Sequence, residues 1–192
     1  MLKRENIIHP IQNNNDKNYS DIKIQEISFI KKINLRLNPN NKNFMAICGK
    51  ILGTILPTKP NTYNKIDKIK IVWLGPDEWL IIYNDENNIL EKLQHELGNL
   101  ETSVTDISEN RTIINVSGDK VNILLSKFLV LDLEKNLSNE SSCAQTLFVK
   151  VPILLLRNNK KNQIQDIDIL TNRSHANYIY KLLLDGTINL DI

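Results

Sequence analysis

Apolar residues recur along this chain with two periods, and each change of period marks an element. Ile22, Ile24, Ile27, Phe29, Ile33, Leu35 and Leu37 fall near period two, which predicts one or two strands. Asn38-Pro39-Asn40-Asn41 reads as a turn, and Phe44 to Cys48 as a short apolar segment closing at Gly49, most economically part of a hairpin. The stretch from Gly53 to Asn61 carries Pro57 and Pro60, so it is a loop or an edge segment rather than a central strand.

The strongest local pattern follows. Ile71 to Leu74 and Leu80 to Ile82 are unbroken β-branched, leucine or tryptophan runs around Gly75-Pro76-Asp77-Glu78. Pro76 presets φ for a tight turn, and Asp77 can bond back onto nearby backbone. Neither arm alternates with polar residues, so both faces of this central hairpin are expected to be covered. Helical spacing appears next: Ile89, Leu90, Leu93 and Leu97 form one stripe, with Asp85 as N-cap and Gly98 as terminator. Val104 to Gly118 is strand-like at both ends with a polar corner between. Val121, Leu124, Leu125 and Phe128 then predict a second helix capped by Ser117 or Asp119.

Leu147 to Leu156 contains Pro152 and is read as an edge strand, a bulge or two short strands. Ile164 to Ile169 alternates, and Ser174 caps a last helix burying Ala176, Ile179, Tyr180 and Leu183, with Gly186 beyond it. Strand signals come first or in pairs and the helices follow hairpins. The expected class is therefore α+β, with a largely antiparallel sheet and about three packed helices. Residues 1–20 are polar and rich in Asn, which predicts a flexible or docking arm. Residues 21–192 form a single domain or two small lobes sharing a core.

Composition narrows function by exclusion. With 41% hydrophobic and 24% charged residues, the 192-residue chain has the balance of a globular protein. Its net charge of +2 comes from scattered Lys and Arg, so a nucleic-acid face or an RNA-binding module has little support. No apolar run nears the roughly 20 residues of a membrane span, and the N-terminus is not signal-like; a soluble, cytoplasmic chain is expected. Cys48 and Cys143 are far apart, with no metal-ligand spacing, and are read as buried reduced thiols.

Candidate chemistry is sparse. His9, His95 and His175 sit in the arm, on a helix and at a helix start, and no pair has ligand spacing. Glycine-rich phosphate loops and a nucleophile elbow are absent from the sequence. Asp106, Glu109 and Arg111 form the most chemical-looking group. They are read either as a folate or pterin contact or, more economically, as an internal Asp–Arg pair tying a corner to the next strand. Arg173 beside Ser174 could hold an anion at a helix start, although Asp166 or Asp168 is a sufficient partner. No residue is assigned a catalytic, cofactor-binding or metal-binding role.

Trp73-Leu74-Gly75-Pro76-Asp77-Glu78-Trp79-Leu80 resembles the signature of the gamma subunit of heterotetrameric sarcosine oxidase. Leu35-Arg36, Leu52-Gly53 and Leu56-Pro57 before it are similar to that family in the same order. So, after it, are Asp106, Ser108, Arg111-Thr112, Ser117-Gly118, Leu131-Asp132-Leu133, Gln145-Thr146 and Arg173-Ser174. The resemblance, covering Leu35 to the C-terminus, implies the folate-binding fold of the glycine-cleavage aminomethyltransferase. It also implies a non-catalytic, structural subunit packing chiefly on the alpha (large) subunit, beside beta and delta subunits. FAD, FMN, NAD and tetrahydrofolate would then reside in those partners, with zinc a further candidate, while the complex demethylates sarcosine oxidatively to glycine and passes the one-carbon unit to tetrahydrofolate. A free-standing folate-binding protein or aminomethyltransferase-like module is the alternative, and the chain's shortness argues against it.

Overall fold

The structure, a computed structural model, describes Asn6 and residues 22–84, 88–98, 100–159, 164–188 and 190. The arm expected over residues 1–20, Asn6 apart, and the Asp85 cap lie outside the described residues. Ten described strands build two five-stranded sheets, and every pair with an assigned register is antiparallel. The chain divides into two compact units. One comprises Met1–Ser28, Glu109–Glu140 and Ala144–Ile192, the other Phe29–Ser108 and Ser141–Cys143. Fold class and antiparallel pairing are as expected.

The second unit holds the tryptophan hairpin. Its strands are β2 (Lys31–Arg36), β3 (Tyr63–Ile66), β4 (Ile69–Gly75), β5 (Glu78–Tyr83) and β6 (Ser103–Asp106), in the order β3-β4-β5-β2-β6. Pro76 and Asp77 make the two-residue loop between Gly75 and Glu78, with a bulge at Trp73/Gly75. The loop is tied by the Leu37 N–H donating to the Asp77 carbonyl at 3.1 Å. The Asp77 side chain is exposed and makes no bond back onto the backbone, contrary to the sequence expectation. Ile33, Leu35, Ile71, Trp79, Ile81 and Tyr83 share one face and pack under α1 (Lys42–Leu52) and α2 (Ile89–Leu97). Val72, Leu80 and Ile82 point oppositely and are also buried, so β5 is covered on both faces.

Helix α1 corrects the hairpin expected around Phe44–Cys48. A short apolar run does not distinguish strand from helix. The ends decide here: Asn41 Oδ1 accepts from the Asn43 and Phe44 N–H groups, and Gly53 closes the helix in the left-handed region at φ 71°. Helix α2 has Asn88 at its N-cap.

In the first unit the order is β1 (Ile22–Ile27), β7 (Arg111–Gly118), β10 (Gln165–Asn172), β9 (Val151–Arg157) and β8 (Cys143–Phe148). The Pro152 run is thus two strands, and Pro152 lies beyond the segment of β9 that pairs with β10. Ile114, Val116, Leu155, Ile167 and Ile169 face the helices α3 (Val121–Ser126), α4 (Leu133–Asn136) and α5 (Ala176–Gly186). Gly186 allows α3 and α5 to close up, since a Cβ there would stand 2.7 Å from the Phe128 ring.

Two expected caps are not used. Strand β7 runs on through Gly118, so the N-cap of α3 is Lys120, without a side-chain bond, rather than Ser117 or Asp119. Ser174 lies inside a tight 3₁₀ turn, Arg173–His175, that precedes α5. With α1 and α4, the described residues hold five α-helices where about three were expected.

Candidate functional site

The residues singled out for chemistry are held by their own scaffold. Asp106 ends β6 and accepts from the Ser108 N–H at 2.8 Å and its hydroxyl at 2.5 Å. Ser108 Oγ accepts in turn from the Lys32 N–H at 2.9 Å, so these residues clamp a corner to β2. Glu109 instead meets Arg173, Nη1 to Oε2 at 2.5 Å, and both side chains are well exposed. This corrects the expectation that Asp166 or Asp168 answers Arg173. Those carboxylates accept from the Asn115 amide at 2.7 and 2.8 Å, because β10 and β7 place Asp168 directly opposite Asn115 on one face. Arg111 opens β7 opposite Asn172.

His95 is exposed beside Glu96, at 3.2 Å, as expected of a solvated residue. His175 closes the 3₁₀ turn with its Nδ1 buried, and that atom and the buried Thr171 hydroxyl have no hydrogen-bond partner. Cys48 and Cys143 are buried and free, and burial pushes both thiols up to about 12. Neither is a thiolate at neutral pH, which removes the usual basis of cysteine nucleophilicity.

Two buried cations were not legible from composition. Lys32 is almost wholly buried, its ammonium donating to the Ile30 carbonyl at 2.8 Å and the Ser108 carbonyl at 3.4 Å. Adjacent lysines read as a solvated pair, yet successive strand residues point to opposite faces, so one of Lys31 and Lys32 turns inward. Arg157, at the end of β9, donates through Nη1 to the Leu137 carbonyl at 2.6 Å, just past α4, and through Nε to the Asn159 carbonyl at 3.2 Å. Each buried charge is met by backbone dipoles, an arrangement that secures loops.

The N-termini of α1 and α4 are closed by Asn41 and by Asp132, which accepts from the Lys135 N–H at 3.0 Å, while those of α2, α3 and α5 carry no side-chain cap. Two surface grooves, one beside the Pro76-Asp77 corner and one between α1 and α2, are lined without an aromatic ring. Among the described residues, no group of three or more His, Cys, Asp or Glu could hold a metal.

Two antiparallel sheets, each with helices on one face and with polar groups bonded mainly to the scaffold, define an α+β chain of aminomethyltransferase-like fold. The glycine cleavage system aminomethyltransferase T from Bartonella henselae has this fold, with a TM-score of 0.63 and 13% identity over 85% of this chain and 45% of that one. A chain of the heterotetrameric sarcosine oxidase from Corynebacterium sp. U-96 superposes with a TM-score of 0.79, at 24% identity over 89% of this chain and 86% of that one.

The chain belongs to the sarcosine oxidase gamma subunit family, whose pattern matches residues 36–189. It is similar to sarcosine oxidase subunit gamma from Corynebacterium sp. strain P-1, 27% identical over 86% of this chain and 79% of the relative. The corresponding subunit from an Arthrobacter species is 27% identical over 72% of this chain and 68% of the relative. The family match takes in both the tryptophan corner and Arg173-Ser174.

Proposed function

We propose that the chain is the gamma subunit of a heterotetrameric flavoenzyme of the sarcosine oxidase type, an oxidoreductase complex of the cytoplasm. The complex demethylates sarcosine oxidatively to glycine and transfers the one-carbon unit to tetrahydrofolate. The gamma chain contributes structure and assembly rather than an active site. Its partners are the alpha, beta and delta subunits, chiefly the large alpha subunit, and the FAD, FMN, NAD, tetrahydrofolate and zinc belong to them.

One observation carries this reading: the family match runs from Arg36 almost to the C-terminus, through the core of both units. The internal bonding of Asp106, Glu109 and Arg173 supports it, since a folate or anion contact would want those groups turned to a ligand. No described helix is long and apolar enough to cross a membrane.

Co-expression with the large subunit, followed by size-exclusion chromatography, tests the assignment. The chain should elute with the large subunit and its flavin absorbance. A monodisperse chain that ignores the large subunit and binds tetrahydrofolate more tightly than roughly 10 μM would point instead to a free-standing folate-binding module.

A further inference from the structure

Lys32 is a buried cation at a position where packing asks for none. Its register partner on β5 is Ile82, within the apolar run Leu80-Ile81-Ile82. An unbranched apolar side chain such as Met would fill that place without the cost of taking a charge out of water. The ammonium instead spans two segments. With the residue only 3% exposed, Nζ donates to the Ile30 carbonyl at 2.8 Å and to the Ser108 carbonyl at 3.4 Å.

Those two carbonyls lie where the chain passes from one compact unit to the other. It enters the second unit at Phe29, next to Ile30, and its main segment there ends with Ser108. Phe29 sits in the left-handed region at φ 61°, where a bulky side chain is rare, so the entry has to be held in place. The backbone of Lys32 is tied to the exit as well. Its N–H donates to Ser108 Oγ at 2.9 Å, and its carbonyl accepts from the Ile107 N–H at 2.9 Å. The Ser108 N–H is in turn held by Asp106 Oδ1 at 2.8 Å.

We propose that Lys32 is the latch of these two crossings: one ammonium gathers the segment entering the second unit and the segment leaving it, so that both open together in a single local step. Lysine suits the task because three donors on a flexible four-carbon stem can reach carbonyls on different segments at once. The crossings then form a local opening unit of their own, separate from the sheet that carries them. This device stands apart from the assembly role proposed above.

Amide hydrogen exchange of the full chain, followed residue by residue, is the test. In the wild type the amides of Lys32, Ile107 and Ser108 should share one opening, their protection factors agreeing within about fivefold and lying below those of Ile71 and Val72 in β4. Lys32→Met should lower protection at all three positions by about tenfold or more and leave Ile71 and Val72 unchanged. A wider spread among the three wild-type amides would overturn the latch, and that comparison decides alone if Lys32→Met does not fold. Wild-type-like exchange in the folded variant would mean that the side chain only fills space. A loss spread equally over Ile71 and Val72 would mean that it acts on global stability alone, and either result overturns the proposal.

Discussion

Trp79 shows how much rides on one side chain. It is wholly buried, on the helix-covered face of β5, and its indole N–H donates to the Pro57 carbonyl at 2.8 Å, holding the proline-rich loop to the sheet. Trp79→Ala should cost about 3–5 kcal/mol through lost burial and a cavity. Trp79→Phe should give back most of the packing and lose about 1 kcal/mol with the hydrogen bond. In the assembled enzyme the damage should appear as lower complex yield with near-normal turnover per flavin, and normal yield with lost turnover would contradict a structural role. The thiols give a second expectation. Cys48 and Cys143 titrate near 9.0 when unperturbed and about 12 when buried, so the folded state favours the protonated form. Their contribution to stability is complete below pH 9 and is lost as pH rises towards 12. A urea midpoint falling across that window, with thiols that react with a chromogenic disulfide only on unfolding, is the result to look for. The burial of Trp79 and both cysteines was legible in the sequence. The inward turn of Lys32 was not, because its cause is the strand's phase against its neighbours rather than its own chemistry.

Element by element, long patterns were readable and short ones were not. The hairpin of β4 and β5 declared itself because two apolar runs flank a turn whose residues have a mechanical reason to be there. Helix α1 did not, since its apolar core begins as five residues that suit a strand equally well and its cap is an Asn within an Asn-rich turn. That cap is the lever for a prediction. Asn41→Ala removes the acceptor for two N–H groups at a half-buried position and should destabilise the protein by about 1 kcal/mol, while Asn41→Ser or Asn41→Asp should be nearly neutral. Denaturant melts of the three variants make the comparison, and equal losses from all three would mean that capping is not what fixes this end. Ser174 misled for the opposite reason: a good capping residue in the right place lost to a 3₁₀ turn that tightens the chain first.

For the whole molecule, motif order identified the family, and the candidate site was legible mainly as residues bonded within the chain. Asp106, Glu109 and Arg111 are near in sequence, but the boundary between the two compact units falls between Ser108 and Glu109. Sequence proximity said nothing of that division. The division also gives the chain a history. Strand β1 belongs to one unit, yet its neighbour β7 is made only after the whole tryptophan hairpin and both its helices have passed. At a synthesis rate of about 5–20 residues per second, β1 waits on the order of ten seconds without its partner. A chain emerging from the ribosome should therefore protect the hairpin region from protease well before Ile22–Ile27, and arrested chains of increasing length would show the order. The second sheet is in place before the first can close, so the early strand is the segment most exposed to wrong pairings during synthesis. Slowing translation between residues 29 and 108 should lower the yield of folded protein without altering its final stability.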